Sequence, residues 1–161
     1  MLGVGGGASV LVAALLELGY LDLTVLDLSA TALEQARTEL GDRAGAVRWV
    51  RADVRHWSPP VAYDVWHDRA VFHFHVEPAD RAAYLATLRA ATVPGSLVVL
   101  ATFAPDGPAS CSGLPVRRYD AAQLAAALGP DYAPVQAGRE EHRTPWGAVQ
   151  PFTRAAFRRL R

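Results

Sequence analysis

Met1-Leu2-Gly3-Val4-Gly5-Gly6-Gly7-Ala8-Ser9 sets four glycines in a turn between a short apolar start and the amphipathic run from Val10. Glycine has no Cβ, so it adopts positive φ freely and lets a ligand approach the main chain. A helix after such a turn points unpaired N–H groups over it. A glycine-rich strand-to-helix turn of this kind belongs to nucleotide-type cofactor sites in parallel α/β folds. Gly3-x-Gly5-x-x-Ala8 also meets the dinucleotide fingerprint, with Asp27 downstream at about the distance of a ribose-binding acid.

The pattern continues outward from that turn. Val10 to Leu18 has apolar residues at helical spacing, and Gly19 closes it. Leu23 to Leu28 is a leucine and β-branched run that reads as a buried parallel strand ending at Asp27. Ser29 then caps a helix to about Leu40, stopped by Gly41. Val47 to Arg51 predicts a third strand, followed by Asp53. Tyr63 to His67 predicts a fourth, after the break at Pro59-Pro60. A helix over Pro78 to Ala91 leads through Pro94-Gly95 to the strand Leu97 to Phe103. Tyr119-Asp120 opens a last helix to Leu128, and two extended runs, Tyr132 to Glu141 and Val149 to Phe157, flank Pro145-Trp146-Gly147 as an antiparallel hairpin. Strands alternating with helices argue for a parallel sheet covered on both faces.

Composition narrows the chemistry. The chain has 161 residues, enough for one domain with a full core, and no internal repeat or linker divides it. Formal net charge is zero, so no global field draws it to nucleic acid or to a membrane surface. All 16 basic residues are arginine. The absence of lysine removes a Schiff base, a Walker lysine and the Tyr-x-x-x-Lys pair of short-chain dehydrogenases. Cys111 is the single cysteine, which with no signal-peptide or membrane-span pattern points to the cytoplasm.

Asp27 and Asp53 end consecutive strands, where a carboxylate meets ligands outside the sheet. Asp27 suits two vicinal hydroxyls. Asp53 suits an exocyclic amine, with Leu28 and Val54 able to sandwich a flat ring. Each acid also has a plainer reading, as a helix-entry or exposed loop residue.

Taken together, Gly3-Val4-Gly5-Gly6-Gly7, Val25-Leu26-Asp27, Ala52-Asp53-Val54 and Tyr63-Asp64-Val65-Trp66 resemble the class I S-adenosylmethionine-dependent methyltransferases. The resemblance covers nearly the whole chain. It implies a Rossmann-like, doubly wound, mostly parallel seven-stranded sheet of order 3-2-1-4-5-7-6, ending in an antiparallel hairpin, with residues 1–161 as one domain. It assigns Gly3, Gly5, Gly6 and Gly7 to the loop at the methionine part of S-adenosyl-L-methionine, Asp27 to the ribose, and Asp53 to the adenine. Leu28, Val54 and His67 are expected beside the cofactor. Two departures stand out. Gly3 holds a position the family gives to an acid, and the family has further strand residues and a helical segment upstream, so the first strand is expected to be cut short. His67-Asp68-Arg69-Ala70-Val71-Phe72-His73-Phe74, and more loosely Gly113-Leu114-Pro115, are similar to the thiopurine methyltransferase-like enzymes of small molecules.

Methyl transfer from a sulfonium is an in-line displacement that needs alignment more than a protein nucleophile or metal. An acceptor that must lose a proton needs a base, and His67, Asp68, His73 and His75 are the candidates. Asp68 with Arg69 also reads as a loop ion pair, and His73 between Phe72 and Phe74 as a packed core histidine. Glu140-Glu141-His142-Arg143 lacks the helical spacing of a zinc site, so no metal is expected. A small-molecule substrate is the expected partner. A nicotinamide-dependent oxidoreductase and a non-catalytic methyltransferase-like domain remain as alternatives.

Overall fold

A computed structural model describes residues 1–7 and 10–161. Ala8, the last position of the fingerprint, and Ser9 lie outside the described residues. The order along the chain is β1 (Leu2–Val4), α1 (Leu11–Glu17), β2 (Leu23–Asp27), α2 (Ala30–Leu40), β3 (Val47–Arg51), β4 (Val65–Arg69), α3 (Pro78–Ala91), β5 (Leu97–Phe103), β6 (Ser110–Cys111), β7 (Leu114–Pro115), α4 (Ala121–Leu128), β8 (Tyr132–Arg143) and β9 (Val149–Arg159). Seven strands form one sheet in the order β3-β2-β1-β4-β5-β9-β8. The first five are parallel and β9 and β8 antiparallel, so the expected sheet order and hairpin are both present. A two-stranded ribbon, β6-β7, is an addition that the sequence pattern does not announce.

Local chemistry sets the boundaries. β2 buries every residue but Asp27. Ser29 Oγ then accepts from the Ala32 N–H at 3.1 Å to start α2. Asp120 and Gln123 form a reciprocal capping box at α4, and Pro78 opens α3 where no N–H is needed. β1 has three residues, yet it pairs with β2 on one side and β4 on the other, with Leu2 and Val4 buried.

Strand alternation sends two sets of side chains to opposite faces. Leu2, Val4, Leu26, Trp66, Val98 and Leu100 join Tyr84 and Leu88 of α3 and Leu124 of α4 in the main core. Leu23, Val25 and Val47 join Leu33 and Leu40 of α2 on the other face, with α1 packed against them. No residue of α1 is fully buried. Crossovers on both faces bring the carboxyl ends of β1, β2, β3 and β4 to one edge, which is where ligands bind in such sheets.

β4 differs from expectation in its frame. Tyr63 and Asp64 precede the strand, and Asp68 and Arg69 complete it. The Tyr63 N–H donates to the Ala91 carbonyl at 2.7 Å, outside the ladder. This two-residue shift decides where the histidines go.

Candidate active site

The glycine turn is sterically committed. Gly5 has φ +68°, and a Cβ there would stand 2.1 Å from Val71 Cγ2. The Gly5 N–H donates to the Leu26 carbonyl at 2.8 Å, stitching the turn to β2. A Cβ on Gly7 would meet Ala32 Cβ at 2.8 Å and Asp27 Oδ2 at 3.0 Å. Only glycine keeps this backbone so close to the strand-end acid.

Among the described residues, Asp27 is held by main-chain donors. Oδ2 accepts from the Gly7 N–H at 3.0 Å and Oδ1 from the Ser29 N–H at 2.8 Å. An ionised carboxylate has about four acceptor positions, so among the described residues each oxygen keeps capacity for one more donor. That is the chemistry a pair of vicinal hydroxyls requires.

A cleft of about 410 Å³ runs from Gly5 past Asp27 and Leu28 to Asp53, Val54 and Arg55. Val71, Phe74, His75, Asp80 and Leu114 complete it. Leu28 is 68% exposed at its mouth, while Val54 is buried at its base. Asp53 carries a bidentate ion pair with Arg55, closest at 2.6 Å, and the guanidinium beside it holds the carboxyl down to about 2. The cleft thus combines an apolar flank, two strand-end carboxylates and a glycine cradle, and these fit the amino-acid, ribose and base parts of S-adenosylmethionine.

A second cavity of about 440 Å³ shares Val4 and Gly5 with the first. Gly3 and Gly6 line it with α1, and its polar wall is His67, Arg69 and His142. Arg69 bonds Glu140 at 3.1 Å and stacks 4.3 Å over the Phe152 ring. Burial first, and then Arg69, push the His67 pKa down, which keeps its imidazole neutral at physiological pH.

Three expectations therefore change. His67 does not lie in the cleft of Asp27 and Asp53: it sits mid-strand opposite Gly3, with its side chain on the face of α1. Asp68 is not placed for proton transfer, because it is 0% exposed and wholly occupied. Its carboxylate accepts from the Val71 and Phe72 N–H groups and from the Tyr84 hydroxyl at 2.6 Å, and Tyr84 in turn accepts from Trp66 Nε1 at 2.9 Å. This network locks the end of β4 to α3. His73 is likewise enclosed, its ring centroid 4.9 Å from that of Phe103, and burial pushes its pKa down to about 4.

His75 is the histidine that lines the cleft, four-residue neighbour to Val71 in the turn after β4. Ala70 there has φ +66°, a value tolerated by few side chains, and its N–H bonds the Ala101 carbonyl at 2.8 Å. That turn swings Val71 under Gly5. Arg55 and Asp80 also line the cleft, and the one signal for them in the sequence is the spacing of Arg55 two residues after Asp53, an Asx-type turn.

The sequence of residues 1–95 matches the family described as Methyltransferase domain. No curated protein sequence matches significantly. Among solved structures, 1,6-didemethyltoxoflavin-N1-methyltransferase from Burkholderia thailandensis, with 1,6-didemethyltoxoflavin and S-adenosylhomocysteine bound, is 23% identical at a TM-score of 0.77, covering 99% of this chain and 70% of that one. The N-methyltransferase NodS from Bradyrhizobium japonicum WM9 is 17% identical at a TM-score of 0.79, covering 99% of this chain and 85% of that one. The glycopeptide N-methyltransferase MtfA, complexed with S-adenosylmethionine, is 15% identical at a TM-score of 0.69, covering 96% of this chain and 85% of that one. With more than half its length matched and the sheet, turn and strand-end acids in place, the chain belongs to the methyltransferase domain family.

Proposed function

We propose that this methyltransferase transfers the methyl group of S-adenosylmethionine to a small-molecule acceptor. The observation that carries the reading is Asp27: a strand-end carboxylate fixed by two backbone N–H groups, with one acceptor position on each oxygen that no other described residue fills. In this reading Asp27 binds the ribose hydroxyls, Asp53 receives the amine of adenine, Leu28 and Val54 flank the ring, and Gly5 and Gly7 admit the methionine part. The cofactor supplies a sulfonium methyl group for in-line displacement. The protein's share is to align the two reactants and to exclude water.

The adjoining cavity supports a small acceptor. At about 440 Å³ it is in the range of small-ligand sites, and it meets the cleft at Val4 and Gly5. His67, neutral on its wall, can accept a proton from an acceptor hydroxyl or amine. Glycine at position 3 leaves that wall without the carboxylate other members carry. The segment from His67 to Phe74 also supports a placement near the thiopurine methyltransferase-like enzymes, since Ala70 turns the chain there at positive φ.

Asp27→Ala is expected to weaken S-adenosylhomocysteine binding tenfold or more, about 1.4 kcal/mol, in an isothermal titration. An unchanged affinity in that variant moves the ribose site elsewhere and removes the main support for the reading.

A further inference from the structure

Arg55 is the one arginine among the described residues lining the cleft, and its bonds run to both acids at that end. Its Nε lies 3.0 and 3.1 Å from the two Asp53 oxygens, its Nη2 2.6 Å from Oδ2, and its backbone N–H 2.9 Å from Oδ1. These contacts use the roughly four acceptor positions a carboxylate has. Nη1 donates at 2.7 Å to Asp80 on α3, an acid that also lines the cleft. An amine can reach Asp53 only where the guanidinium gives way, and Asp80 is already bonded to receive it. The Arg55 backbone N–H meanwhile keeps the Asp53 carboxylate aimed as it is. Arg55 and Asp80 are about one-third exposed, so the exchange strips neither charge of water.

We infer that Arg55 competes with the base of the cofactor for Asp53, and that Asp80 takes over its guanidinium when an aminopurine binds. The inference rests on the assignment of Asp53 to the adenine. It makes Arg55 and Asp80 a pair that sets cofactor affinity and base selectivity, with Asp80 acting through its bond to Arg55. Apparent affinity scales with the fraction of protein in which Asp53 is free, so the two residues act with opposite signs. Removing the competitor raises that fraction, and removing its alternative partner lowers it.

The test is a titration of the full chain with S-adenosylhomocysteine and with its six-oxo analogue, S-inosylhomocysteine, which has no exocyclic amine on its base. Arg55→Leu is expected to bind S-adenosylhomocysteine about three- to tenfold more tightly and the analogue no more tightly. Asp80→Asn is expected to bind S-adenosylhomocysteine more weakly by a similar factor, and to have no further effect in the Arg55→Leu background. A merely structural role moves both ligands alike and weakens both variants, and that result overturns the inference. Asp53→Ala separates the two levels of the argument. If it loses affinity while Arg55→Leu gains none, the competition alone is rejected. If it binds S-adenosylhomocysteine as the wild type does, the adenine assignment and the competition fall together.

Discussion

Asp68→Ala is expected to destabilise the fold by about 3–5 kcal/mol in urea or thermal unfolding, among the largest effects of any single substitution here. The variant leaves the Val71 and Phe72 N–H groups and the Tyr84 hydroxyl without their acceptor in a site with no solvent. Tyr84 also receives Trp66 Nε1, so the damage reaches both β4 and α3. Asp68→Asn keeps an acceptor and is expected to cost less. It also carries a pH signature. Burial raises the Asp68 pKa to about 6 against its donors, above the unfolded value of 3.8. The folded state therefore binds the proton more tightly, and the penalty for ionising Asp68 is present above about pH 6 and is relieved as pH falls toward 3.8. Relative to Asp68→Asn, the wild type should gain on the order of 3 kcal/mol across that window. Three histidines act oppositely, since partial or full burial lowers the pKa of His67, His73 and His75 and costs stability on acidification. They are common to both proteins, so the difference between the two curves isolates Asp68. Parallel curves would show that Asp68 is ionised in the folded state throughout.

Gly5→Ala is the second large effect. Its φ of +68° costs an alanine about 1–2 kcal/mol, and the new Cβ falls 2.1 Å from Val71 Cγ2. Valine is stiff at χ1 and the turn after β4 holds it in place, so relief of the clash adds about 1–3 kcal/mol. The total, about 2–5 kcal/mol, corresponds to a fall in Tm of roughly 2–4 °C for each kcal/mol in a chain of this size. Val71→Ala in the same chain should recover the steric part and leave the backbone part. Additive behaviour of the two substitutions would mean that Gly5 and Val71 do not share that space.

Much of this arrangement is legible in the residues themselves. LTVLD over 23–27 is leucine or β-branched at every position but the last, so its strand and its strand-end acid announce themselves together. Ser29, Gly41, Asp120 and Gly129 mark helix ends by chemistry that acts within a few residues. The sheet order followed from the family resemblance rather than from periodicity. β4 shows where local reading stops. Asp68 and Arg69 look like loop residues, yet Asp68 is tolerated within a strand because donors from Val71, Phe72 and Tyr84 converge on it. Tyr84 lies sixteen residues away, and no spacing rule links it to Asp68. The consequence was a two-residue shift that carried His67 to the face of α1 and left His75 beside the cleft. The Arg55–Asp80 bond is hidden for the same reason: its partners are 25 residues apart and meet only because α3 packs beside β3's exit.

The central claim is that the glycine turn and Asp27 form an S-adenosylmethionine site and not a nicotinamide one. Parallel isothermal titrations of the wild-type chain with S-adenosylhomocysteine and with NADH test it most directly. Saturable binding of S-adenosylhomocysteine with none of NADH is the predicted result; saturable binding of NADH alone would contradict it.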